Sequence, residues 1–214
     1  MTTATPAPTA AVQRPRLAAS MARRRQNILD AAIDLFQERG YLGTTVDDIA
    51  ARAGVTKRTL YHHMANKESI LIQIHADFID VGLRSWETVV QDGGTATEVL
   101  RRLIEEHIRI VAAHRQAIAV FFEEAKHLNE AARLDITAQR DSYEAILRAT
   151  IAAGVDSGEF RQNLNVRVAS LLILGGLNEM YKWFKPKSRT AQNALIKLYA
   201  DVALDGVLVR SAAA

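Results

Sequence analysis

From residue 21 onward, apolar side chains recur at helical spacing, and no stretch alternates apolar and polar residues for long enough to make a strand. Ile28, Ala32, Leu35 and Phe36 keep the i, i+4, i+7, i+8 spacing of one buried face, predicting a first helix over 21–39 that Gly40 closes. Thr45 followed three residues later by Asp48 is a carboxylate variant of the capping box, and Val46, Ile49, Ala50 and Ala53 give a second, short helix its inner stripe. Gly54 can take the left-handed backbone that ends this helix, Val55 can turn inward, and Thr56 can cap a third helix over 57–63. That third helix buries mainly Leu60, with Met64 just beyond it. A fourth, capped by Asn66, runs to about residue 90 with Ile70, Ile74, Phe78 and Val81 in one stripe. Its length suits a connection between two domains.

After the break at "QDGGT", the pattern predicts further helices over about 95–114, 116–127, 130–153, 165–184 and 189–209, whose apolar faces must share a second, larger core. The expected architecture is all-α. A basic flexible arm over 1–20 precedes a three-helix, helix-turn-helix domain over 21–66, and a larger helical domain follows over 67–214.

Composition narrows the chemistry. Among 214 residues there is no cysteine, which excludes disulfides, thiolate metal sites and cysteine nucleophiles and fits a cytoplasmic location. The longest apolar run, 171–177, is far shorter than the roughly 20 residues that span a bilayer, so no membrane association is expected. Charge is unevenly placed: residues 1–70 carry a balance of +4, and residues 71–214 one of −1. Arg14, Arg16, Arg23, Arg24 and Arg25 all precede the first acidic residue, Asp30, and read equally as a solvated tail or as a phosphate-seeking arm.

A helix of about seven residues is too short to persist alone, yet at about 10 Å it suits the DNA major groove, some 12 Å wide. Arg58 can reach guanine O6 and N7, Lys57 guanine or phosphate, and Tyr61 and the threonines phosphates, with Lys67 as a further phosphate ligand.

These residues carry a resemblance. "TTVDDIAARAGVTKRTLYHHMANKESIL" resembles the helix-turn-helix signature of the TetR family of bacterial transcriptional regulators, with its Thr-Val-x-Asp-Ile-Ala core, Ala-Gly-Val corner, Leu-Tyr-x-His segment and Asn-Lys-Glu. Met64 departs from it, standing where the family usually has Phe. The resemblance implies a homodimeric repressor with a ligand-binding C-terminal domain, and its DNA contacts fall on Thr45, Thr56, Lys57, Arg58, Thr59, Tyr61, His62 and Lys67. It also implies that the last two long helices, over about 165–209, form the dimer interface; Gly175 and Gly176 there would let helices approach closely. Two recognition helices about 34 Å apart would read an inverted-repeat operator.

Phe78, Trp86, Phe121, Leu174 and Asn178 are the candidates to line an effector pocket, an apolar wall with one polar anchor, although a plain core role competes for each apolar member. "FFEEAKHL", "SGEFRQNLNV" and "NEMYKWFKP" are similar to C-terminal domains of the fatty-acid and sterol catabolism branch of the family. That similarity implies a lipid-like or acyl-CoA effector. Lys182, Lys185 and Lys187 read equally as phosphate partners or as a solvated basic turn.

An all-α enzyme finds no support in a Gly-x-Ser-x-Gly elbow, a phosphate-binding glycine loop or a His-Glu-x-x-His pair, and the six histidines show no i, i+4 spacing. Neither a metal nor a cofactor is expected. A sequence-nonspecific architectural DNA binder would be strongly basic throughout, which this chain is not.

Overall fold

A computed structural model describes residues 10–208, with side chains from residue 18. The chain divides into two compact units, Met1–Ile74 and His75–Ala214. Among the described residues there is no strand, only an isolated bridge between Phe160 and Leu208.

The N-terminal unit holds α1 (Ala10–Arg39), α2 (Val46–Arg52), α3 (Lys57–His63) and the first two turns of α4 (Lys67–Gln91). The first helix begins at Ala10, ahead of the expected residue 21, because the alanine-rich segment before it continues the helix N-terminally. Of the expected arm, residues 1–9 lie outside the described residues, as do the side chains of Arg14 and Arg16. Gly40 and Gly54 both take positive φ, 72° and 66°, and each ends its helix as the spacing predicts. Ile28, Leu29, Leu35, Phe36, Ile49, Leu60, Met64, Ile70 and Leu71 form the core. Ile70, Leu71 and Ile74 join α4 to this unit, so the division between units falls inside α4 and not at its first residue.

In the C-terminal unit, the rest of α4 is followed by α5 (Ala96–Ala113), α6 (Arg115–Glu124), a 3-10 turn (Ala125–His127), α7 (Glu130–Asp156), α8 (Val166–Asn178), α9 (Met180–Trp183) and α10 (Arg189–Asp205). The helix expected over 165–184 is therefore two, parted at Glu179, after which Met180 and Tyr181 turn into the core. Val81, expected in the buried stripe of α4, is 40% exposed; the buried set runs through Phe78, Ile79, Gly82, Trp86 and Val89 instead.

Two glycines let helices close up. A Cβ on Gly82 would lie 1.4 Å from the Tyr143 hydroxyl, and one on Gly176 would lie 2.3 Å from that of Tyr199. Glu159 fastens the start of α5, accepting from the backbone N–H of Ala96 (3.0 Å) and Thr97 (2.9 Å). Those hydrogen bonds hold its carboxyl down to about 2.

Candidate nucleic-acid interface and effector cavity

The recognition segment is built from its caps outward. Thr45 Oγ1 accepts from Asp48 N–H at 3.1 Å, and Asp48 Oδ2 accepts from Thr45 N–H at 2.9 Å and from its hydroxyl at 2.6 Å, so the start of α2 is fully tied. These bonds also hold the Asp48 carboxyl below its ordinary range. Thr56 Oγ1 accepts from Thr59 N–H at 3.1 Å and meets the Thr59 hydroxyl at 2.9 Å, capping α3. Arg52 on α2 donates twice to Glu38 on α1, at 3.0 and 2.9 Å, which fixes the bracing helix to its neighbour.

Only Leu60 of α3 is buried; Lys57, Arg58, Tyr61 and His62 are exposed and Thr59 is half-buried. Thr45 and Thr56 are exposed as well, so seven of the eight DNA-contact candidates stand at or near the surface of α2 and α3. Their engagements differ. Lys57 Nζ pairs with Asp47 at 2.9 Å, which raises the affinity of its amine for a proton. Arg58 has no ion pair among the described residues. His62 packs edge-on against His63, whose proton affinity is lowered by partial burial first, then by the charges of His62, Arg24 and Arg25.

Lys67 departs from the others. Its ammonium donates to the carbonyls of Tyr41 (2.7 Å) and Thr44 (2.8 Å) and lies 4.2 Å from the centre of the Tyr41 ring. Thr44 itself is fully buried and its hydroxyl lies 2.9 Å from the Gly40 carbonyl. Lys67 and Thr44 thus pin the loop that sets the entry of α2. Sequence reasoning missed this role, because carbonyls offered by a loop more than twenty residues away leave no local pattern.

In the C-terminal unit a cavity of about 50 Å³ is enclosed by α4, α5, α6, α7 and α8. Of the five pocket candidates, Phe78, Leu174 and Asn178 line it, while Trp86 and Phe121 stand one layer behind. Sequence reasoning missed the rest of the lining, including its other polar members, His75, His107, Arg140 and Tyr143. His75 lies against Phe121 (ring centres 4.1 Å apart) and Phe78, and burial holds its proton affinity down to about 4. His107 is likewise held to about 4 by burial, opposed by a hydrogen bond with the Asn178 side chain. The phenol of Tyr143 is pushed upward by burial, so it stays protonated. Arg140 is exposed, beside the cavity and 5.9 Å from the centre of the Phe122 ring. The enclosure holds a few water-sized groups and must widen to take a larger ligand, since ligand pockets commonly measure about 300 Å³ or more.

Among the described residues no group of three or more histidine or carboxylate side chains can hold a metal ion, and no helix is long and apolar enough to cross a membrane.

Residues 28–74 match the family described as bacterial regulatory proteins, tetR family, and residues 93–207 match the tetracyclin repressor-like C-terminal domain. The chain is 30% identical over 185 residues to the HTH-type transcriptional repressor KstR2 of Rhodococcus jostii (strain RHA1), covering 86% of this chain and 91% of that protein. It is 32% identical over 152 residues to the fatty acid metabolism regulator protein of Bacillus subtilis (strain 168), covering 71% and 78%. The crystal structure of AibR in complex with isovaleryl coenzyme A and operator DNA is similar at a TM-score of 0.71 and 28% identity, covering 86% of this chain and 98% of that one. These are regulators of transcription and not enzymes, and they agree with the fatty-acid and sterol branch to which the C-terminal segments are similar.

Proposed function

This chain belongs to the TetR family of bacterial regulatory proteins, and from that premise we propose that it is a cytoplasmic repressor that binds an inverted-repeat operator as a homodimer and is released by an acyl-CoA or similar lipid-like effector. The observation that carries the DNA-binding part is α3, a helix with one fully buried anchor, Leu60, and an outward set of Lys57, Arg58, Tyr61 and His62. Arg58, unpaired and exposed, is the base reader, with bidentate donation to guanine as its natural contact. Thr45, Thr56, Thr59, Tyr61 and His62 serve the phosphates, and Lys57 joins them on leaving Asp47. Lys67 acts through the loop it holds, as a positioning residue.

Support for the homodimer comes from α8 and α10. Val168, Leu171 and Leu172 on one and Leu198 and Val202 on the other are all 47% exposed or more, and Val168, Leu172 and Val202 border a groove of about 390 Å³ between these helices. An apolar face of this kind is costly in water and is covered by a second copy. Phe78, Leu174 and Asn178, with Trp86 and Phe121 behind them, form the effector site; AibR, similar over most of the chain, was crystallised with isovaleryl coenzyme A and operator DNA. An effector that prefers the DNA-incompatible conformation by a few kcal/mol switches occupancy.

Fluorescence anisotropy with an inverted-repeat duplex from the protein's own upstream region, against a random duplex of equal length at about 0.15 M salt, tests the reading. Preference for the repeat, lost on adding acyl-CoA thioesters, is expected. Equal binding to both duplexes overturns specific regulation. Light scattering that finds a monomer at micromolar concentration overturns the dimer.

A further inference from the structure

Among the described residues, the cavity of the C-terminal unit is walled by uncharged side chains with one exception. Phe78, Ile79, Ile110, Val111, Ile118 and Leu174 give it an apolar surface, and no carboxylate lines it. Its histidines, His75 and His107, are neutral, since burial holds the proton affinity of both to about 4, and the buried phenol of Tyr143 keeps its proton. Arg140 on α7 is the one charged residue in the lining. The site as a whole therefore carries a positive charge.

That charge is unanswered within the protein. Glu144, one turn further along α7 and the natural i, i+4 partner, pairs with Arg148 at 3.4 Å instead. Arg140 has no ion pair among the described residues. Its head group is not simply out in water, because the guanidinium carbon lies 5.9 Å from the centre of the Phe122 ring, and that ring is itself part of the cavity wall. The charge also reaches His75, 2% exposed in the same wall, where it adds to burial in lowering the proton affinity.

On an open surface water solvates an arginine, and a pair with a carboxylate gains little. Beside an apolar enclosure the balance differs. Low-polarity walls exclude part of the water and screen less, so an anion held there is attracted more strongly. A guanidinium also offers a carboxylate or a phosphate two parallel donors. A neutral lipid gains nothing from this charge.

We propose that Arg140 selects the effector by charge: it receives an anionic oxygen group, carboxylate or phosphate, while the apolar part of the same molecule fills the cavity. This rests on the reading of the cavity as the effector site, and adds the residue that separates anionic acyl compounds from neutral ones of equal length. At about 50 Å³ the cavity takes about three to five water-sized groups, so short acyl chains are the suitable probes.

The test uses the full-length protein and three probes that share one acyl group: butyryl-CoA, sodium butyrate and the uncharged thioester S-butyryl-N-acetylcysteamine. Binding is followed by calorimetry. We expect butyryl-CoA, butyrate or both to bind about tenfold or more tighter than the uncharged thioester, and Arg140→Gln to remove that margin, since a hydrogen bond to a charged group carries a difference of this size. Arg140→Gln should leave the affinity of the uncharged thioester as it was, and Arg140→Lys should keep part of the margin, having the charge without the fork. Loss for butyryl-CoA alone assigns a phosphate, and loss for butyrate alone a carboxylate. Arg140 is exposed, so its replacement spares the fold, and an unchanged melting temperature checks this. Equal affinity of the native protein for charged and uncharged probes, anionic probes that bind Arg140→Gln as they bind the native protein, or a uniform loss across all three overturns selection by charge and leaves the effector reading standing. Failure of every probe to bind a protein that still holds its operator overturns both.

Discussion

In the N-terminal unit, polar side chains around α2 and α3 are paired at the surface: Thr45 with Asp48, Thr56 with Thr59, Lys57 with Asp47, Arg52 with Glu38. In the C-terminal unit, the groups that matter are buried, and some are left unpaired: His75 and His107 neutral in an apolar setting, Trp86 Nε1 and His107 Nδ1 without partners. The difference fits the roles proposed above for the two units. A surface that presents side chains to a polyanion needs rigid caps and long exposed cations, because water solvates those groups until DNA replaces it. A cavity that discriminates small molecules needs desolvated polar groups, because only there does a missing hydrogen bond cost enough to tell one ligand from another.

The comparison breaks first at Leu60. Its truncation to Ala empties the single anchor of α3 and should cost about 2–5 kcal/mol, seen as a lower urea midpoint, with operator binding lost. Retained operator affinity would mean that α3 is not held by its neighbours.

Acidification probes the other unit. His75 and His107 have folded values of about 4 against an ordinary value of 6.5, so the folded state disfavours their protonation. Their contribution is fully present above pH 6.5 and declines as pH falls toward 4, by about 3 kcal/mol for each histidine at the low end. Urea titrations across this window should show the loss, and His75→Phe should remove part of the slope.

Lys67 and Arg58 sharpen the contrast between holding and reading. Lys67→Met removes the ammonium donor from the Tyr41 and Thr44 carbonyls, should cost about 1–3 kcal/mol of stability, and should weaken binding to all duplexes alike. Arg58→Ala should leave stability unchanged and cost about 1–3 kcal/mol of preference for the operator. Similar binding profiles for the two variants would contradict the division of roles. Smallest of all, Asp47→Asn frees Lys57 and removes a negative charge beside α3. DNA binding should tighten a few-fold with an unchanged melting temperature.

The short helices were legible because their signals are local. Thr45 with Asp48, Gly54, Thr56 and Asn66 each act within four residues, and the structure forms those caps, Asn66 accepting from Ser69 N–H at 2.7 Å. The break at Glu179 and the exposure of Val81 were not legible, since each depends on which neighbours a helix meets. Phe78, Leu174 and Asn178 come together at one cavity, yet its histidines, Arg140 and Tyr143 lie on helices whose pattern shows only amphipathicity. Tyr143 reaches it because Gly82, sixty-one positions earlier, leaves the space.

By itself the sequence determined the all-helical class, the caps of α2 and α3 and the outward basic face of α3, because helix periodicity and capping are properties of neighbouring residues. Only the tertiary structure decided that Lys67 holds a loop, that the rings of Trp86 and His107 are buried side by side, and where the second core leaves a cavity. Those outcomes depend on distances between residues far apart in the chain, which close packing sets and no local pattern encodes.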